Sequence, residues 1–95
     1  MGKYCVVEYE GLPYPGIIQD VDDDKAEVTA MNRIGPNRFF WPMIEDRFFY
    51  EKDEIITLLQ NEPKYVTKRH QQLPEDIWKA VVAKLELDDQ GKKSI

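Results

Sequence analysis

The sequence predicts a mainly β fold: five short strands meander, curl and close on themselves as a small barrel, and one α-helix follows. Three observations carry that expectation. Short runs rich in β-branched and aromatic residues recur over the first two thirds of the chain, separated by Gly, Pro and Asp turn signals. Apolar residues keep a helical spacing in one place, "LPEDIWKAVVAKLEL", residues 73–87. Finally, 95 residues with 42% hydrophobic content allow one domain with a modest core.

The first strand is "YCVVEY", residues 4–9, and "EGLP" follows as a tight reversal in which Gly11 supplies a positive φ. "YPGIIQDVD", residues 14–22, is a second strand with a bulge; Pro15 and Gly16 sit at its start, where they least disturb a ladder. After the turn "DDDK", "AEVTAMN", residues 26–32, alternates as a third strand with Ala26, Val28 and Ala30 on one face. "MNRIGPNRFFWPM", residues 31–43, then reads as a loop in which "IGPN" is turn chemistry, "RFFW" is extended and Pro42 ends regular pairing. "RFFYEKDEIITLL", residues 47–59, opens as a strand, makes one 3₁₀ turn with Asp53 as candidate cap, and ends in a short closing strand. "NEPKYVTKRHQQ" is a polar connection in which "KYVTK" offers an edge strand. The helix has Pro74 in its first turn, Glu75 and Asp76 at its positive end, and a stripe of Ile77, Trp78, Val81, Val82 and Leu85. The expected organisation is a barrel over 1–62, a connecting segment over 63–73, a helix over 74–87 and a flexible tail over 88–95.

"VVEYEGLPYPGIIQDVDDDKAEVTAM" resembles the opening of a Tudor-like β-barrel, the Src-homology-3-like fold of the Royal family. It shares a strand, a short Gly-containing turn, a Tyr-Pro-small motif and an acidic hairpin into a third strand. "FFYEKDEIITLL" is similar to the close of such barrels, and the resemblance covers about residues 4–60. "NRFFWP" followed by "FFYEKDEI" also resembles accessory modules of mobile-element-derived proteins. The family implies a noncatalytic interaction module in a nuclear, chromatin or transposon-derived setting, with a histone-like peptide among the partners. Its methyl-reading members surround a cation with aromatics. By the resemblance Tyr14 matches one wall and Tyr9 stands near a second, whereas Met31 occupies a position where readers commonly carry an aromatic. Phe40 or Trp41 is then left to complete the cage.

Composition narrows the other classes. One cysteine, Cys5, and one histidine, His70, provide neither an internal disulfide nor a zinc set, and point to a reducing, intracellular compartment. No apolar run approaches a membrane span and no leader pattern opens the chain, so no membrane association is expected. From Asp20 a calcium-loop pattern would need Gly at position 25 and Glu at 31, which are Lys25 and Met31. The one serine, Ser94, lies in the tail, and no Gly-rich phosphate cradle is present, so neither catalysis nor a cofactor or metal is expected.

The aromatics remain. Phe39, Phe40 and Trp41 together carry about 450–750 Å² of side-chain surface, as much as or more than the largest apolar patch of an ordinary monomer. In an extended segment Phe39 and Trp41 share one face and Phe40 takes the other. One face is therefore expected to plug the barrel while the other borders a groove. The leading functional expectation is a groove between the first hairpin and "NRFFWP" that binds a peptide or partner domain, with Tyr14 and Trp41 as anchors and Arg38 as a clamp for an acidic group. Tyr9, Met31 and Phe40 complete the candidate ligand-binding set. Three alternatives stay open: an atypical methyl-lysine or methyl-arginine reader; an auxiliary nucleic-acid contact through Arg33, Arg38 and Arg47, against a net charge of −5; and homo-oligomerisation through the helical stripe.

Overall fold

In the computed structural model, residues 2–88 and 92 are described. The tail expected at 88–95 therefore lies, apart from Asp88 and Lys92, outside the described residues. The elements in order are β1 (Tyr4–Tyr9), β2 (Leu12–Val21), β3 (Lys25–Ala30), β4 (Asn32–Gly35), β5 (Arg38–Phe40), β6 (Asp46–Glu51), a 3₁₀ turn (Lys52–Glu54), β7 (Ile55–Leu59), β8 (Lys64–Tyr65), β9 (Gln71–Gln72) and α1 (Glu75–Lys84). The fold is mainly β with one C-terminal helix.

The first sheet has the order β6-β3-β2-β1-β7, all antiparallel. Glu10 and Gly11, with φ of 52° and 80°, turn the chain between the paired residues Tyr9 and Leu12. Two consecutive positive φ values make a type I′ reversal, whose twist suits the flanking strands. Register shifts between Ile18 and Asp20 and between Val6 and Val7 bend the sheet. Gly16 is required by close approach: a Cβ there would lie 2.7 Å from the Thr29 carbonyl oxygen and from Val28 Cγ1. At the 3₁₀ turn it is Glu51 and Glu54, rather than Asp53, that make the local bond, Glu51 N–H donating to Glu54 Oε1 at 2.8 Å.

β6 and β7 are the edges of this sheet, which is open rather than a closed barrel. The chain leaves the sheet after Ala30 and spends residues 31–45 elsewhere before β6 returns to pair with β3. A second, four-stranded sheet, β4-β5-β9-β8, takes up that excursion. The segment expected as a loop is thus a hairpin turning at Pro36 and Asn37, and the segment expected as a connector forms the other half of its sheet. These strands are two to four residues long, too short for a period-2 pattern to register in sequence.

Asn37 locks the halves together. With φ at 45°, its side chain acts as a strand partner: Nδ2 donates to the Leu73 carbonyl at 2.9 Å, and Leu73 N–H donates to Oδ1 at 2.8 Å. Gln71 Nε2 adds a buried bond to the Pro63 carbonyl at 2.7 Å.

Two cores lie on opposite faces of β1. Cys5 and Val7 pack with Ile18, Ala26, Val28 and Tyr50, whereas Val6 packs with Met31, Phe39, Leu59, Leu73, Trp78, Val81, Val82 and Leu87. An apolar run such as "CVV" is what a strand covered on both sides requires. The helical stripe belongs to the second core: Trp78, Val81 and Val82 are buried, and Ile77 and Leu85 pack at its margin. The chain's own sheets cover this stripe, the face through which self-association was one of the alternatives. The helix ends in a Schellman arrangement, with Leu87 N–H on the Val82 carbonyl at 2.8 Å and Glu86 N–H on the Ala83 carbonyl at 3.2 Å. Glu86 takes the left-handed conformation, φ 58°, that glycine adopts at less cost.

Two outcomes are expected from urea unfolding. Asn37→Ala strands a buried N–H and C=O of Leu73 and should cost about 2–4 kcal/mol. Glu86→Gly should stabilise by about 0.5–1 kcal/mol, since it relieves the left-handed strain at the helix end.

Candidate functional site

Two cavities contain most of the candidate residues, and they separate what the sequence grouped. The first, of about 220 Å³, is lined by Tyr9, Tyr14, Ala30, Met31, Asn32, Asp46, Phe48 and Tyr50. Tyr9 ends β1 and Tyr14 lies near the start of β2, so the type I′ turn sets their rings edge-on, with centroids 6.4 Å apart at 70°. β6 supplies the facing wall. Asp46, Phe48 and Tyr50 alternate onto one side of the strand, opposite Ala30, Val28 and Ala26 of β3. The alanine at Ala30 leaves open the volume that a larger side chain would fill. Phe48 is 55% exposed, so part of its ring is open to the cavity and to solvent.

Met31 lies at the base of this cavity with 1% exposure, and its N–H donates to the Pro15 carbonyl at 2.8 Å. It is a core residue contributing floor, and Phe48 rather than Phe40 or Trp41 supplies the third aromatic. Tyr50 keeps its phenolic proton: burial, then the charges of Asp46 and Glu54, push its pKa up to about 12. The site holds aromatic rings with electron-rich faces and one carboxylate.

The second cavity, of about 600 Å³, is lined by Ile34, Phe40, Trp41, Met43, Tyr65, Lys68, Arg69 and His70. Phe39 is 0% exposed and meets Trp78 edge-on at 6.4 Å, while Phe40 turns outward to His70 at 6.2 Å. Trp41 packs at the core margin and also reaches this cavity. Tyr14 and Trp41, expected as anchors of one groove, thus line different cavities. Arg38 is half-buried on β5 and lines neither, so it does not stand beside Tyr14 as a clamp. Arg47 is drawn to Glu45 and Glu27, at 3.1 and 3.7 Å, and is absent from the second cavity, which takes its cations from Lys68 and Arg69.

Sequence reasoning missed Phe48, Asp46 and Asn32 at the first cavity, and Tyr65, Lys68, Arg69 and His70 at the second. For β6 a signal existed: Asp46, Phe48 and Tyr50 stand at i, i+2 and i+4, and the aromatic pair Phe48–Phe49 cannot be buried on both faces of an edge strand. For the second cavity the sequence offered only the absence of acids from both contributing segments; their convergence depends on a long-range pairing that no local pattern specifies.

Cys5 is fully buried, and burial alone pushes its thiol up to about 12, so it is a core hydrophobe and not a thiolate. Among the described residues no group of three or more His, Cys, Asp or Glu side chains converges to hold a metal ion. Comparison with protein-family models, characterised proteins and solved structures finds no match, so the geometry itself carries the functional reading.

Cys5 and Tyr50 also set an alkaline limit. Their ordinary values are 9.0 and 10.0, and both are pushed up to about 12 in the folded chain. Between those values the unfolded chain has lost protons that the folded chain retains, so the stability is full below about pH 9 and declines toward about pH 12. Urea midpoints should therefore fall between pH 8 and pH 11, with a shallower fall in Cys5→Ala.

Proposed function

We propose that the chain is a noncatalytic protein-interaction module that receives a cationic side chain, a methylated lysine or arginine of a peptide partner, between Tyr9, Tyr14 and Phe48. The observation that carries this reading is the convergence of those three rings and the Asp46 carboxylate on about 220 Å³. That volume is below the roughly 300–1,000 Å³ of ordinary small-molecule sites and suits the tip of one side chain. A cation over ring faces is attracted by their quadrupoles, more strongly when desolvated, and methylation lowers the cost of desolvating it. Asp46 favours the same sign of charge and disfavours an acidic group.

We further propose a Tudor-like kinship for the first sheet, open though it is. It is supported by the strand order β6-β3-β2-β1-β7, by the single 3₁₀ turn between the edge strands, and by Tyr14 opening β2 beside the cavity. On that kinship a histone-like peptide in a nuclear, chromatin or transposon-derived setting is the partner to test first.

The test is NMR titration with histone-like peptides carrying trimethyl-lysine, dimethyl-arginine or the unmodified residue. Amide shifts should concentrate at Tyr9, Tyr14, Asn32 and Phe48, and a methylated peptide should bind more tightly than its unmodified form. Phe48→Ala, at an exposed position, should weaken binding about 5- to 30-fold with an unchanged urea midpoint. Shifts confined to other surfaces, or no shifts with any peptide, would remove the proposal.

A further inference from the structure

The second sheet carries a charge of its own. Its two segments, residues 31–44 and 63–74, contain Arg33, Arg38, Lys64, Lys68 and Arg69 and no aspartate or glutamate, in a chain with 18 carboxylates and a net charge of −5. Folding brings the segments side by side through the β5–β9 pairing of Phe39 with Gln71, so the two acid-free segments become one acid-free sheet, with Arg33 and Arg38 half-buried in it. Lys64, Lys68 and Arg69 are exposed and form no salt bridge among the described residues. Their loop is held in place: Val66 N–H donates to the His70 carbonyl at 2.8 Å, and Thr67 Oγ1 accepts from the His70 and Arg69 N–H groups at 3.0 and 3.3 Å.

Beside Lys68 and Arg69 opens the cavity of about 600 Å³, walled by Phe40, Trp41 and Tyr65 and edged by Ile34 and a fully exposed Met43. Its volume falls within the range of built ligand sites. An apolar cleft with a cationic rim matches a ligand of inverse pattern, with apolar side chains for the cleft and carboxylates for Lys68 and Arg69.

We propose that this face docks an acidic peptide whose apolar side chains enter the cavity, at a site separate from the cation-accepting one. A single-stranded nucleic acid is the other polyanion to consider, and two observations favour the peptide. Phe40 and His70 tilt at 58° to one another instead of presenting parallel platforms for stacked bases, and the aliphatic Ile34 and Met43 suit a hydrocarbon side chain. Moreover Glu45, Glu62 and Glu75 stand immediately beyond the ends of the two segments, so a continuous phosphate chain leaving the patch meets like charge, whereas a peptide confines its acids to one stretch.

The experiment is fluorescence anisotropy of the full chain with a fluorescein-labelled twelve-residue peptide alternating Glu with Leu and Phe. Its Glu-to-Gln counterpart and a twelve-nucleotide oligothymidine serve as comparison probes. The acidic peptide should bind, the Gln peptide about tenfold more weakly, and rising salt should weaken the first far more than the second. The exposed pair Lys68→Glu and Arg69→Glu together should reduce affinity about tenfold or more with an unchanged urea midpoint. Met43→Ser should weaken it several-fold, and Phe48→Ala, at the other cavity, should leave it unchanged. Equal affinity for the Gln peptide, tighter binding of oligothymidine, indifference to the charge reversal, loss of binding in Phe48→Ala, or no binding of the acidic peptide would each overturn the proposal.

Discussion

The edge-on contact of Phe39 with Trp78, ring centroids 6.4 Å apart, is where the second sheet and the helix meet against the back of the first sheet. Both residues share one core with Val6 of β1, Leu59 of β7 and Leu73. A chain of this length cannot sustain two independent cores. It builds two that share a strand: β1 is buried on both faces, with Val6 toward Phe39 and Trp78, and Cys5 and Val7 toward Ile18, Val28 and Tyr50. The β5–β9 ladder is a single residue pair, so the second sheet depends on side-chain packing, with Phe39 at its centre, and on the Asn37–Leu73 bonds.

That constraint also decides the surface. Because Phe39 points inward, strand alternation sends Phe40 outward to His70, and the aromatic run becomes half core and half cavity wall. The same alternation on β6 places Phe48 and Tyr50 on the side facing Tyr9 and Tyr14. Here the small Ala30 opposite Asp46 leaves a recess in place of a packed interior. The two cavities thus arise from one rule acting on two strands, yet their electrostatics are opposed. One holds a carboxylate among aromatic rings, and the other is rimmed by cations on a stretch of chain without acids.

The elements legible in the sequence were those whose signal is local. The β1–β2 turn was readable because Gly11 permits positive φ; β2 and β3 because their runs are long and bounded by turn residues; the helix because Ile77, Trp78, Val81, Val82 and Leu85 repeat at its period. Of the site, Tyr9 and Tyr14 were readable from their places beside that turn, and the division of Phe39 from Phe40 followed from alternation. Of the second sheet, the edge strand in "KYVTK" and the extended "RFFW" were legible, as β8 and β5, but its assembly was not, because strands of two to four residues carry no periodicity and the sheet joins distant segments, Phe39 pairing with Gln71.

The sequence by itself determined the local conformations: which stretches extend, where the backbone turns, which face of the helix is apolar, and which segments lack acids. The tertiary structure decided everything that depends on who lies opposite whom. It covered the helical stripe from within the chain, left the first sheet open, made Met31 a floor and Phe48 a wall, and set Lys68 and Arg69 of one acid-free segment beside Phe40 and Trp41 of the other around one cleft. The physical reason is that backbone preference and amphipathicity act over a few residues, whereas burial in a shared core acts between residues far apart in the chain, and in a domain this small one core contact sets the positions of several elements at once.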